Sequence, residues 1–309
     1  MLRSVSRRVT APASLALSTG GRLGGWLLVA ALASGCSTRS FLTERLADEL
    51  AAPPAVAEDD LQLAREASAF HLKLSESVLR QTPGHIGLAG AVAGGYTQYA
   101  YAFVAFDADR IEARDAAAAQ ALRERAARLY RRAHRHAMTA LEAATPGFAQ
   151  ALASPDPARW PVIRPAQVAL AYWAAASWGG AISLSKDDPD AVADLPLAVR
   201  LATLAYAVEP DHGQGALASL MGSFEAARAG GSRARADAYF DRAIAAGGPT
   251  QAGPRVAKAE TLALPAGDRA AFVALLGQAR AIAVAHRDVG NEAMRERADW
   301  LLGQVDDLF

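Results

Sequence analysis

The chain has 309 residues, 32 basic against 32 acidic side chains, a formal net charge of zero and one cysteine. A chain without a basic surplus lacks the electrostatic footprint that nucleic-acid binding demands. A lone cysteine allows neither an internal disulfide nor a paired-cysteine zinc set.

The first 35 residues carry Arg3, Arg7, Arg8 and Arg22 and no acid. The apolar run Gly24–Leu32 that comes next has the length of a signal-peptide core. It is too short to cross a bilayer, which takes about 20 apolar residues. The run closes on Leu32-Ala33-Ser34-Gly35-Cys36, which resembles the lipobox of bacterial lipoproteins. The expectation is a signal peptide over 1–35, cleavage before Cys36 and lipidation of its thiol, with each buried CH₂ contributing about 0.8 kcal/mol to anchoring. Ser37, not an acid, follows the cysteine, so the expected site is periplasmic, on the inner face of the outer membrane. Removing 1–35 takes away four arginines and no acid, leaving a formal charge of −4 and disfavouring an anionic lipid surface as the main partner.

Residues 36–59 read as a lipidated N-terminus and tether: a short amphipathic stretch, then Ala51-Ala52-Pro53-Pro54. Residues 60–309 read as a single α-helical domain. About a quarter of the chain is alanine, which favours helix everywhere, so the helices are read from periodicity and stops. Leu61, Ala64, Ala67, Leu72, Ser75 and Leu79 trace a stripe that ends at Thr82-Pro83-Gly84. A helix over 85–106 follows, then one over 114–144 with Leu122, Ala126, Leu129, Ala133, Ala137 and Leu141 on one side and arginines on the other. Thr145-Pro146-Gly147 stops it, and 154–165 is a proline-punctuated loop. Further helices are expected over 165–184, 196–208, 212–229, 232–247, 252–264, 267–285 and 291–308. No strand pattern is found.

Several helices end in an apolar pair with a proline beyond it. The strongest is Tyr239-Phe240-Asp-Arg-Ala243-Ile244 before Pro249. A bulky residue three before a small one is the spacing at which the helices of a tetratricopeptide hairpin pack. The intervals between these prolines are irregular. The fold expected is therefore all-α: stacked helical hairpins in a degenerate tetratricopeptide-like array.

Reactive chemistry finds little support. Ser183-Leu-Ser-Lys186 has the Ser-x-x-Lys spacing, but the Ser-Asp-Asn and Lys-Thr-Gly partners of that chemistry are missing. His134 and His136 stand two apart on a helix, diverge, and read as part of a solvated basic face with Arg131, Arg132 and Arg135. Gly87, Gly90, Gly94 and Gly95 follow no strand and read as small-residue helix packing. No catalytic set, metal set or cofactor motif emerges, so the expectation is a protein that is not an enzyme. The aromatics carry more: Tyr96, Tyr99, Phe103 and Phe106 fall at helical spacing, and Tyr172, Trp173 and Trp178 lie on a later helix. They read first as core, and otherwise as the lining of a groove that binds without catalysis.

Taken in order, Gly95–Val104 (GYTQYAYAFV), Ala140–Phe148 (ALEAATPGF), Ala171–Pro189 (AYWAAASWGGAISLSKDDP), Asp211–Gly213, Ala252–Pro254 and Asp306–Phe309 resemble the TatT family of TRAP-transporter-associated lipoproteins, over most of 60–309. The resemblance implies an α-helical protein with cryptic tetratricopeptide motifs, a homotrimer around a pore, and an apolar crevice in each protomer. It implies as partner the periplasmic solute-binding protein of a tripartite ATP-independent transporter, and it implies no enzymatic activity. Tyr96, Tyr99, Trp173, Trp178 and Lys186 are the matched positions read as a ligand or partner groove, with Phe103 and Phe106 joined to them by the helical spacing of the aromatics. The alternative is a general tetratricopeptide scaffold lipoprotein for envelope assembly, with no solute role.

Overall fold

The computed structural model describes residues 41–52 and 58–309. Cys36 and the signal peptide expected over 1–35 lie outside the described residues. Residues 41–43, all helical, belong to a separate unit, and Glu44–Phe309 forms the body. Every regular element among the described residues is helical, as the periodicity implies.

The body opens with a helix over 44–51 (α1). Short polar side chains set the helix starts that follow. Asp60 opens α2 (Leu61–Leu79) by accepting from the amides of Gln62 and Leu63. His85 caps α3 (Ile86–Tyr99), and Asp115 caps α4 (Ala116–Ala144). Each such cap satisfies amides that the first turn leaves unpaired and contributes about 1 kcal/mol. The expected Thr145-Pro146-Gly147 stop leads into a short α5 (Phe148–Leu152), with Gly147 at φ +81°. Next come α6 (Val168–Ser183), a single turn α7 (Pro189–Ala193), α8 (Leu195–Val208) and α9 (Ala216–Ala227). Ser232 caps α10 (Arg233–Gly247), which precedes α11 (Gly253–Lys258). The chain closes with α12 (Arg269–Ala285, capped by Asp268), α13 (Val289–Gly303, capped by Asp288) and α14 (Val305–Leu308).

Two helices run on where the sequence suggested an end or a uniform turn. After Tyr99, α3 continues through a π-helical turn, Ala100–Ala105, into Phe106–Ile111. The second π-helical turn, Ala259–Ala263, extends α11. Within the 36–59 stretch, residues 44–51 are helical, and Ala47, Leu50 and Ala51 join the main core.

That core unites α3, α4, α5, α6, α8 and α9 through Leu88, Val92, Leu141, Phe148, Leu152, Leu170, Leu201 and Leu217, all at most 1% exposed. A second core joins α11 to α12 and α13 around Phe272, Leu276, Ala279, Ala298 and Leu301. Helix-interior glycine costs about 1 kcal/mol relative to alanine, yet several helices here keep it, because aromatic rings occupy the space. A Cβ on Gly94 would stand 2.7 Å from Trp173, on Gly179 2.6 Å from Phe224, on Gly180 2.8 Å from Tyr130 and on Gly222 2.9 Å from Phe240. Small-residue packing thus holds for Gly94, and for Gly95 against Leu72, but Gly90 faces open space. Phe240 and Ala243 are both fully buried: Phe240 fills the Gly222 notch, and Gly215 (φ +90°) lets α9 start against the Ala243 backbone.

Candidate ligand and partner site

Tyr96 sits over a cluster of charged side chains centred on one buried carboxylate. Glu76 on α2 is buried, at 3% exposure. Its Oε1 accepts from Arg132 Nε at 2.6 Å and lies 2.8 Å from His136 Nε2. Its Oε2 accepts from Lys73 Nζ at 2.7 Å, from Arg132 Nη2, and from the Tyr96 hydroxyl at 3.4 Å. Burial alone would push this carboxyl up. Hydrogen bonds from Arg132, Lys73 and His136 outweigh that and hold it well below the usual carboxylate range. The Tyr96 hydroxyl moves the other way, to about 12, through burial and the adjacent Glu76 charge. The tyrosine ring stacks on His136 with centroids 6.3 Å apart, and the Arg132 guanidinium lies 5.0 Å from its centre. Glu76 and Arg132 were missed in the sequence because each looks like an ordinary surface charge on an amphipathic helix.

The π-helical turn divides the expected Tyr96–Phe106 stripe. The Phe106 amide reaches back to the Tyr101 carbonyl, five residues away, and the extra residue rotates the remainder of the helix. Tyr99 and Phe103 meet edge to face at 5.5 Å, and Arg65 donates to the Phe103 carbonyl at 2.7 Å. Phe106 turns instead to the C-terminal helices, 5.8 Å from Trp300. Between the two cores Arg297 of α13 reaches Asp109 through Nη1 at 2.6 Å and Glu260 through Nη2 at 2.6 Å. Its guanidinium lies 5.0 Å from the ring centres of both Phe106 and Trp300. Burial opposes that charge, but Glu260, Tyr101 and Asp109 more than offset it, so Arg297 holds its proton more firmly than usual. Glu260 belongs to the second π-helical turn and Tyr101 to the first; burial pushes the Tyr101 hydroxyl up. Such turns recur at functional sites.

The later aromatics occupy other neighbourhoods. Trp173 covers Gly94 and lies 4.6 Å from Tyr172. Trp178 packs against the His134 ring at 4.3 Å and donates its indole N–H to Asp194 at 3.3 Å. Lys186 stands exposed beyond the end of α6. Of the seven residues singled out, Tyr96, Tyr99, Trp173 and Trp178 pack on the main core, Phe103 meets Tyr99, Phe106 turns to Trp300, and Lys186 lies apart. The solvated-face reading of the two histidines needs correction. His134 is half-buried, with Nδ1 3.1 Å from the Ala174 carbonyl, and burial lowers its pKa; half-buried His136 is tied to Glu76. Among the described residues no group of His, Cys, Asp or Glu is arranged to hold a metal ion.

The fold and these clasps define an all-α scaffold in which buried carboxylates are each held by more than one cation. Residues 57–309 match the family model of the TRAP transporter T-component, and the chain belongs to that family, as the resemblance in 60–309 implied. The chain is also similar to an uncharacterized protein of Treponema pallidum (strain Nichols), at 29% identity over 262 residues, covering 82% of this chain and 81% of that protein. The family is a component of TRAP transport and associates with that transport system in the cell envelope.

Proposed function

We propose that this T-component is a lipid-anchored periplasmic accessory that docks the solute-binding protein of its TRAP system and holds an apolar or organic-acid ligand. The carrying observation is the family match over 57–309, nearly the whole described body. In this reading residues 1–35 are removed and Cys36 bears the lipid. Residues up to 59 reach from the inner face of the outer membrane, and 60–309 present the docking surface. Its work is binding, not catalysis. The half-buried and buried rings of Tyr96, Tyr99, Phe103, Phe106, Trp173 and Trp178, with Lys186 nearby in sequence, remain the residues proposed for the groove. The homotrimer in this reading comes from the family resemblance; on α2, Leu63, Phe70 and Leu74 follow one side and are 52%, 75% and 39% exposed, an apolar strip of the kind that protein contacts cover.

The deciding experiment is purification of the tagged, lipidated protein from its native membrane under mild detergent. Recovery of a periplasmic solute-binding protein in stoichiometric amount is expected. Its consistent absence, with envelope-assembly proteins recovered instead, would replace this reading with the general scaffold.

A further inference from the structure

Between α8 and α10 lies an open pocket of about 360 Å³, lined by Tyr206, Arg235, Ala238, Tyr239 and Arg242. Arg235, Tyr239 and Arg242 stand at i, i+4 and i+7, one face of α10. Tyr206 faces them from α8, its ring perpendicular to that of Tyr239 (88°) at 5.4 Å. No carboxylate is among the lining side chains. The neutralising acids stand outside: Asp211 accepts from Arg242 Nε and Nη2 at 2.9 and 3.1 Å, and Glu225 pairs with Arg235 at 2.9 Å. Glu225 also takes both prongs of Arg228, at 2.7 and 3.0 Å. Three guanidiniums thus share two carboxylates, which leaves one cation in excess. Arg235 and Arg242 are exposed, and among the described residues no protein group bonds to their Nη1 atoms or to either tyrosine hydroxyl, so these groups are open to solvent or a ligand. A guanidinium can only donate, so the pocket presents donors and positive charge beside two perpendicular aromatic faces. Volumes of roughly 300–1,000 Å³ are usual for small-molecule sites.

We propose that this pocket binds a small organic acid with a flat apolar body, the carboxylate on Arg242 or Arg235 and the Tyr239 hydroxyl, and the body laid against the side that the contacting Tyr206–Tyr239 pair turns to the pocket. This deepens the ligand part of the function proposed above and does not depend on partner docking. The test is calorimetric titration of the detergent-solubilised full-length protein with benzoate, benzamide and inorganic phosphate. Saturable one-to-one binding of benzoate is expected, with benzamide inert and phosphate weaker. Arg242→Gln and Tyr239→Phe are each expected to weaken benzoate about tenfold or more, the loss that one hydrogen bond to a charged group brings. Tyr239→Phe keeps the ring and carries the test if Arg242→Gln unfolds. Absence of saturable benzoate binding, equal binding of benzamide or phosphate, or unchanged affinity in the folded variants overturns the proposal. Capture of the solute-binding protein is measured in parallel. No benzoate binding with capture intact sinks this pocket alone, and benzoate binding without capture sinks the docking reading alone.

Discussion

Replacing Glu76 by glutamine tests how much of the body's stability rests on one buried carboxylate. The side chain is 3% exposed and pairs with Arg132, Lys73 and His136 within 2.8 Å, with Arg80 at 3.9 Å. Glutamine keeps one acceptor oxygen but turns an N–H₂ towards groups that only donate, and it leaves the clustered cations uncompensated. Removing one partner of a buried ion pair costs about 3–5 kcal/mol, so Glu76→Gln is expected to lose about 3 kcal/mol at neutral pH. With a urea slope of roughly 3 kcal/mol/M, that moves the midpoint by about 1 M, read by helical circular dichroism. The folded carboxyl titrates well below its ordinary value. Its contribution is therefore complete above the unfolded value, near 4.5, and is lost as pH falls towards the folded one. The gap between wild type and variant should be full at pH 7 and shrink steadily below about 4.5. A gap under about 1 kcal/mol, or one that stays constant with pH, would refute the reasoning.

Gly180→Ala should cost about 1–3 kcal/mol by overpacking against Tyr130. Gly90→Ala, with open space around the new methyl, should gain up to about 1 kcal/mol of helix propensity; both are read as thermal midpoints. Asn291, 2% exposed, accepts from the Ala252 amide at 3.1 Å and donates to the Thr250 and His286 carbonyls at 2.9 and 2.7 Å. Asn291→Ala should lose about 2–4 kcal/mol and raise amide exchange at the start of α11. Trp173→Ala should cost about 3 kcal/mol if the ring's main role is to cover Gly94; an unchanged midpoint with weaker partner capture would instead place it in the groove. Cys36→Ser should abolish palmitate labelling and leave the protein soluble in the periplasm or unprocessed, and persistent labelling rejects the anchor.

Helix placement was legible because it rests on local chemistry. Periodicity and the Pro/Gly stops are local signals, and the caps Asp60, Asp115, Ser232 and Asp268 stand at or beside the expected starts. The charge clasps were not legible, because they join residues far apart in sequence: 56 positions separate Glu76 from Arg132, and 188 separate Asp109 from Arg297. On a helical stripe such residues look like solvated charges until the fold brings them together. The π-helical turns leave no compositional mark, since only the hydrogen-bond register shifts. That shift is why Phe106 parted from the aromatics with which its spacing had grouped it. Nor could histidine spacing reveal that His136 faces a carboxylate on another helix.

The scarcity of lysine has a practical consequence. The chain holds only Lys73, Lys186 and Lys258. Lys73 is bonded to Glu76, and Lys258 is held between Asp237 and Asp241 at 2.8 and 2.6 Å with its proton bound more firmly than usual. An amine-reactive fluorophore should therefore mark Lys186 ahead of the other two lysines, placing a reporter just beyond α6.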